Sequence, residues 1–139
     1  MWAWGYNNSG QLGDSSTLDS LTPIRVGVDA DWIQISAGYR NSLARKTNGT
    51  LWAWGRNDYG QVGDGSNIRS TVPVQIGSAS DWLQVITGFN GFHSLGLKND
   101  NTIYSWGYNR NGQLGIGVSG NEQNRKTPTV VPAGLSWNP

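Results

Sequence analysis

The sequence predicts an all-β protein: a partial β-propeller of four-stranded antiparallel blades, with roughly two complete blades and part-blades at both ends. Three observations carry this reading. A phrase of the form Trp-Gly-x-Asn-x-x-Gly-Gln-Leu-Gly ends each of the segments 2–13, 52–63 and 104–115, at intervals of 50 and 52 residues. A fixed period in this range marks a repeat architecture. About four short strand patterns fall within each period, and none has the periodicity and caps of a helix. The composition agrees, because 20 glycines and only 14% charged residues in 139 favour short strands and tight turns.

The elements follow in chain order. The opening strand ends in the first phrase. After Pro23, Pro73 and Pro128 comes a strand at Ile24–Val26, Val74–Ile76 and Thr129–Val131. The next strand is Trp32 to Ala37, with its counterpart Trp82 to Thr87. Ile33 and Ile35 alternate there with Gln34 and Ser36, the period of a strand with one apolar face. The following strand is Asn41–Arg45 or His93–Leu97, and the last is Leu51–Trp54 or Ile103–Trp106. Asn48-Gly49 predicts a type I′ hairpin turn, and Lys98–Asn101 does the same job. Between Gly115 and Pro128 the chain is longer than in the earlier copies, and Trp137 stands as far after Pro128 as Trp32 does after Pro23. The repeats therefore divide the chain into a strand at 1–13, repeats at 14–63 and 64–115, and a partial repeat at 116–139.

Charge and composition exclude several function classes. The net charge of +1 gives no polyanion-binding surface, so nucleic acid is not expected. No apolar run is long enough to span a bilayer, so no membrane role is expected. Met1 leads straight into the phrase, so no signal peptide is expected in this stretch, and the compartment stays open. With no cysteine and only His93 for histidine, zinc chemistry and cysteine nucleophiles are not expected. The acidic loops at Asp14 and Asp64 lack the spacing and closing glutamate of a calcium loop and read as solvated turns. Gly115–Gly120 matches G-x-G-x-x-G, but a nucleotide fingerprint needs a helix to follow, and none is expected. No catalytic, metal or cofactor site is expected.

The phrase resembles the repeat of the regulator of chromosome condensation family. The Gly-His signal of the WD repeat and the Gly-Gly doublet of kelch are both missing. Trp54-Gly55, Asn57, Gly60-Gln61 and Gly63 match that pattern, as do Trp106-Gly107, Asn109 and Gly112-Gln113 with Gly115. Trp4-Gly5, Asn7, Gly10-Gln11 and Gly13 form the first copy. The upstream Gly…His-Ser appears at Gly88 and His93-Ser94, whereas Asn41 stands in the histidine position of the first copy. The resemblance implies blades of a ring of about seven, with protein binding through loops on one face as the shared theme. Members include nucleotide exchange factors, enzyme inhibitors, ubiquitin-ligase accessory domains and a light sensor. Light sensing would place tryptophan where Tyr39 and Phe89 stand.

Letters that recur in each repeat are expected to be structural. Buried loops need amide side chains and glycines, and Trp4, Trp54 and Trp106 are expected in the core or as wedges between blades. Letters that change are the binding candidates: Tyr6, Arg56 and Tyr108 at one position, Tyr59 and Arg110 near it, and Glu122 and Arg125 in the lengthened loop. Tyrosine and arginine dominate interface energetics. The expected function is a non-enzymatic scaffold that binds a partner protein. A lectin-like propeller is the alternative, because repeated aromatics can stack on sugars. Guanine-nucleotide exchange for a small GTPase is a weaker one. Less than half a ring is expected from this length. Either the chain is part of a longer protein, or copies assemble, with Trp2–Gly5 completing a blade begun by another copy.

Overall fold

In the computed structural model, which describes residues 1–132, ten short strands form three antiparallel sheets. They are β1 (Trp2–Gly5), β2 (Ser20–Arg25), β3 (Trp32–Ala37), β4 (Asn41–Lys46), β5 (Leu51–Gly55), β6 (Ser70–Gln75), β7 (Trp82–Thr87), β8 (His93–Lys98), β9 (Ile103–Gly107) and β10 (Arg125–Val130). Two sheets have four strands, ordered β3-β4-β5-β6 and β7-β8-β9-β10, and β1 pairs with β2 alone. The C-terminal part-blade, with Trp137, lies outside the described residues.

The sheets are offset by one strand from the repeats at 14–63 and 64–115. The proline-containing strand closes the sheet of the preceding phrase: β6 pairs with β5, through Ala53 opposite Val74. The phrase strand is therefore third in its sheet, not fourth. The strand also begins before the proline, at Ser20, Ser70 and Arg125. Proline has no N–H to donate, so it is tolerated inside a strand only at a sheet edge, and β2, β6 and β10 are edge strands.

The turn at Asn48-Gly49 also differs from a type I′ turn. Only Gly49 has positive φ, at 77°, and its N–H donates to the Lys46 carbonyl at 2.9 Å. A I′ turn needs two such residues, so the extra left-handed position at the end makes this a bulged hairpin. Asn101 takes that role in the second blade, at φ 64°.

The core lies between the two four-stranded sheets. Leu43, Leu51, Val62 and Ile76 on the first meet Trp82, Val85 and Trp106 on the second, all buried. The sheets converge where β3 faces β7. There the Gln34 side chain donates to the Val85 carbonyl (3.1 Å) and accepts from its N–H (3.2 Å). Ser36 Oγ accepts from the Thr87 N–H at 3.0 Å. The polar side of β3 thus makes the contact between blades, while Ile33 and Ile35 are half exposed.

The first two phrase loops each wrap the tryptophan of the next phrase. Trp54 Nε1 donates to the Gln11 carbonyl at 2.9 Å, and Trp106 Nε1 donates to the Gln61 carbonyl at 3.0 Å. A Cβ on Gly13 or Gly63 would fall 2.7 Å from the corresponding indole nitrogen, so only glycine fits. Trp54 and Trp106 are buried. Trp4 is 63% exposed, against expectation, because no phrase loop among the described residues lies over it.

Candidate functional site

The ends of β3 and β5 and the starts of β4 and β6 lie at one edge of the first blade, since neighbouring strands are antiparallel. The equivalent ends of the second blade continue that edge. This edge carries every phrase loop, and its framework is amide chemistry. Asn57 is fully buried. Its Oδ1 accepts from the Val62 N–H at 2.9 Å, and its Nδ2 donates to Asp64 Oδ1 at 3.0 Å. Asn7 and Asn109 accept the same bond from Leu12 and Leu114. Gln61 Oε1 accepts from the Tyr59 N–H at 2.9 Å. Such bonds replace the water that a buried loop backbone lacks. The acidic loop residues serve the same frame: Asp14 accepts from Asn7 Nδ2 and from Ser16.

On this frame the variable letters collect. Tyr59 and Tyr108 pack with ring centroids 4.6 Å apart, and Phe92 meets Tyr59 edge-on at 5.7 Å. Arg56 lies over Tyr59 at 5.6 Å and Phe92 at 5.2 Å, while its Nε pairs with Asp58 at 2.6 Å. Arg40 lies over Tyr6 and Tyr39. Tyr39 and Phe89, in the β3–β4 and β7–β8 turns of the same edge, are exposed. The edge is thus an aromatic platform threaded with guanidinium groups, and cation–π contacts hold the arginines in place.

Of the candidates read from the sequence, Tyr6, Arg56, Tyr59 and Tyr108 come together here. Arg110 and Glu122 are exposed elsewhere on the loops, without an ion pair among the described residues. Arg125 turns to its own loop, donating to Gln123 Oε1 at 3.3 Å. The lengthened loop holds a single 3-10 turn at Asn121–Gln123, not the long helix a nucleotide fingerprint requires. Sequence reasoning missed Arg40, Phe92 and Arg69. All three stand outside the repeated phrase; the fold makes Arg40 and Phe92 equivalent, since Arg56 and Tyr108 donate backbone bonds to them, yet one is cationic and the other aromatic.

His93 is half-buried against Gly88, and burial lowers its pKa below the ordinary 6.5. At the opposite edge, Lys46 sits over the Trp32 and Trp52 rings and pairs with Asp29 and Asp31 at 2.7 and 3.3 Å. The hydrogen bond that it donates to Asp29, above all, raises its pKa. Lys98 repeats the arrangement over Trp82 and Tyr104 with Asp81. This recurrence in both blades marks a structural clamp.

Among the described residues, a concavity of about 900 Å³ lies on the face of the second blade that is turned away from the first, lined by Leu95, Ile103, Leu114 and Val131 among others. These four occupy the positions of Leu43, Leu51, Val62 and Ile76, which the second blade covers in the first. The groove therefore has the make-up of a blade-stacking surface.

A family model for the regulator of chromosome condensation (RCC1) repeat matches residues 1–45, 48–88 and 100–136, and a second model of the same description matches 32–61. Among solved structures, the chain is similar to Prp20p from Saccharomyces cerevisiae, with 23% identity and a TM-score of 0.84 over 96% of this chain and 34% of that one. Yeast RCC1 (Prp20) bound to Kap60 gives 23% identity and a TM-score of 0.82, over 96% and 33%. Human WBSCR16 gives 24% identity and 0.78, over 97% and 34%. The chain spans about a third of the length of each.

Proposed function

The chain belongs to the regulator of chromosome condensation (RCC1) repeat family, and from that premise we propose that it is a non-enzymatic scaffold that binds a partner protein through the phrase-loop edge of its blades. One observation carries the reading. Four of the positions that vary between repeats, Tyr6, Arg56, Tyr59 and Tyr108, lie on one surface with Arg40 and Phe92. Preorganised aromatic and arginine side chains lose little freedom on binding and make strong interface anchors. The Prp20p structure is described by its binding to Gsp1p and histones, and yeast RCC1 was solved with Kap60, so protein partners of similar propellers favour this class.

Carbohydrate binding is the weaker reading. It needs an exposed tryptophan in each repeat, but Trp54, Trp82 and Trp106 are buried. Self-association has the open groove of the second blade in its favour. Light scattering that found a clean folded monomer in dilute solution would remove it.

The scaffold reading is tested by comparing the chain with a Tyr6→Ala, Arg56→Ala, Tyr59→Ala, Tyr108→Ala variant as baits in a host extract. Proteins retained by the first and lost by the second support it. Identical captures from a folded variant refute it.

A further inference from the structure

Where the β1–β2 sheet meets the first full blade, the same edge holds a polar cavity of about 260 Å³, lined by Asn8, Ser9, Arg40, Arg56, Asp58 and Arg69. Three guanidinium groups face one carboxylate. Asp58 is engaged by Arg56. Arg40 is held between Tyr6 and Tyr39, and its buried Nε has no hydrogen-bond partner. Arg69 reaches back along the edge to donate to the Asn8 carbonyl at 3.1 Å. Neither Arg40 nor Arg69 forms an ion pair among the described residues.

The fold does not require these arginines. The pairings Gly5 with Ser20, Gly55 with Ser70 and Gly107 with Arg125 make Asp19, Arg69 and Asn124 equivalent. Asp19 Oδ1 accepts from the Asn7 N–H at 2.8 Å, and Asn124 Oδ1 accepts from the Asn109 N–H at 2.8 Å. Arg69 has no acceptor atom, so the Asn57 N–H goes without this bond. The middle repeat has exchanged a structural hydrogen bond, kept by both neighbours, for a cation in the cavity. A local rule broken at one site, with its framework otherwise intact, is the mark of a functional position. Arg40 and Arg56 are likewise replaced, by Phe92 and Tyr108, at the next junction, which is aromatic instead of cationic.

We propose that this cavity receives an acidic side chain from a peptide segment of the partner protein, with Arg40 and Arg69 as the fork and the peptide body against the Tyr59–Phe92–Tyr108 platform. Planar guanidinium groups match a carboxylate with paired, charge-assisted hydrogen bonds. The cavity is too small for a polyanion to thread, and the chain's charge of +1 offers no basic stripe for one. The aromatic platform alongside suits a peptide better than a free anion. This inference rests on the scaffold reading and names the chemistry of its contact.

The test uses the full chain and a fluorescein-labelled hexaglutamate peptide, titrated by fluorescence anisotropy at low salt, with hexalysine as control. The informative variant is Arg69→Asn, which restores the acceptor of the sister repeats while removing the charge. It should weaken hexaglutamate binding about tenfold or more, and its melting temperature should equal or exceed that of the parent. Arg40→Phe should weaken binding similarly. Equal affinity for parent and Arg69→Asn, or hexaglutamate bound no better than hexalysine, overturns the proposal. So does inorganic phosphate that binds in an Arg69-dependent manner while the peptide does not. If the bait experiment loses its partner in the four-alanine variant but not in Arg69→Asn, the cavity assignment fails and the scaffold reading stands.

Discussion

Trp4 and Trp106 are the same letter of the repeated phrase, and the structure assigns them opposite fates. Trp106 is fully buried and Trp4 is 63% exposed. Replacing Trp106 by alanine removes about 200 Å² of buried apolar surface, which at about 25 cal/mol per Å² is about 5 kcal/mol. Truncations of this kind cost about 3–5 kcal/mol in practice. The lost bond from Nε1 to the Gln61 carbonyl adds about 1 kcal/mol at most, because Ser94 Oγ still donates to that carbonyl at 2.9 Å. The expected total is therefore about 3–6 kcal/mol, a large share of the 5–15 kcal/mol of an ordinary domain. Trp4→Ala removes only the third of the side chain that is covered and should cost about 1.5 kcal/mol or less. Guanidinium unfolding followed by far-ultraviolet circular dichroism measures both, with a common slope. The packing argument is refuted if the two variants lose equal stability, or if Trp106→Ala lies within 1 kcal/mol of the parent.

Gly63→Ala places a Cβ 2.7 Å from the Trp106 indole at a φ of 90°, so strain and displacement together should cost about 3 kcal/mol in thermal melts. Gln34→Leu strips both bonds from the Val85 backbone between the blades and should cost about 2 kcal/mol, while Gln84→Leu, at the exposed equivalent position, should stay within about 0.5 kcal/mol. Burial lowers the His93 pKa, so the unfolded chain takes up the proton first. The stability present above pH 6.5 should then fall as pH drops from 6.5 toward the folded value, and His93→Asn, the residue of the sister position Asn41, should flatten melting temperature over that window.

The strands at Trp32–Ala37 and Trp82–Thr87 were legible to the residue, because alternation and flanking turns are local signals. The propeller architecture was legible as well, since a phrase repeated at fixed spacing states that like units stack. The strand across each proline was not, because an edge position is what permits proline, and edge status belongs to the sheet. Nor was the exposure of Trp4, which depends on whether a preceding loop covers it. At the candidate site, Tyr6, Arg56, Tyr59 and Tyr108 could be named by comparing repeats, since each occupies a variable place in a shared motif. Arg40 and Arg69 stand outside that motif, 29 residues apart in sequence. Only the turn of β3 into β4, and the pairing of β6 with β5, bring them to one cavity. By itself the sequence determined the unit and its grammar, because those rest on backbone requirements met within a few residues. The tertiary structure decided which strands share a sheet, which tryptophans are covered and which arginines converge, because each depends on groups brought together across blades.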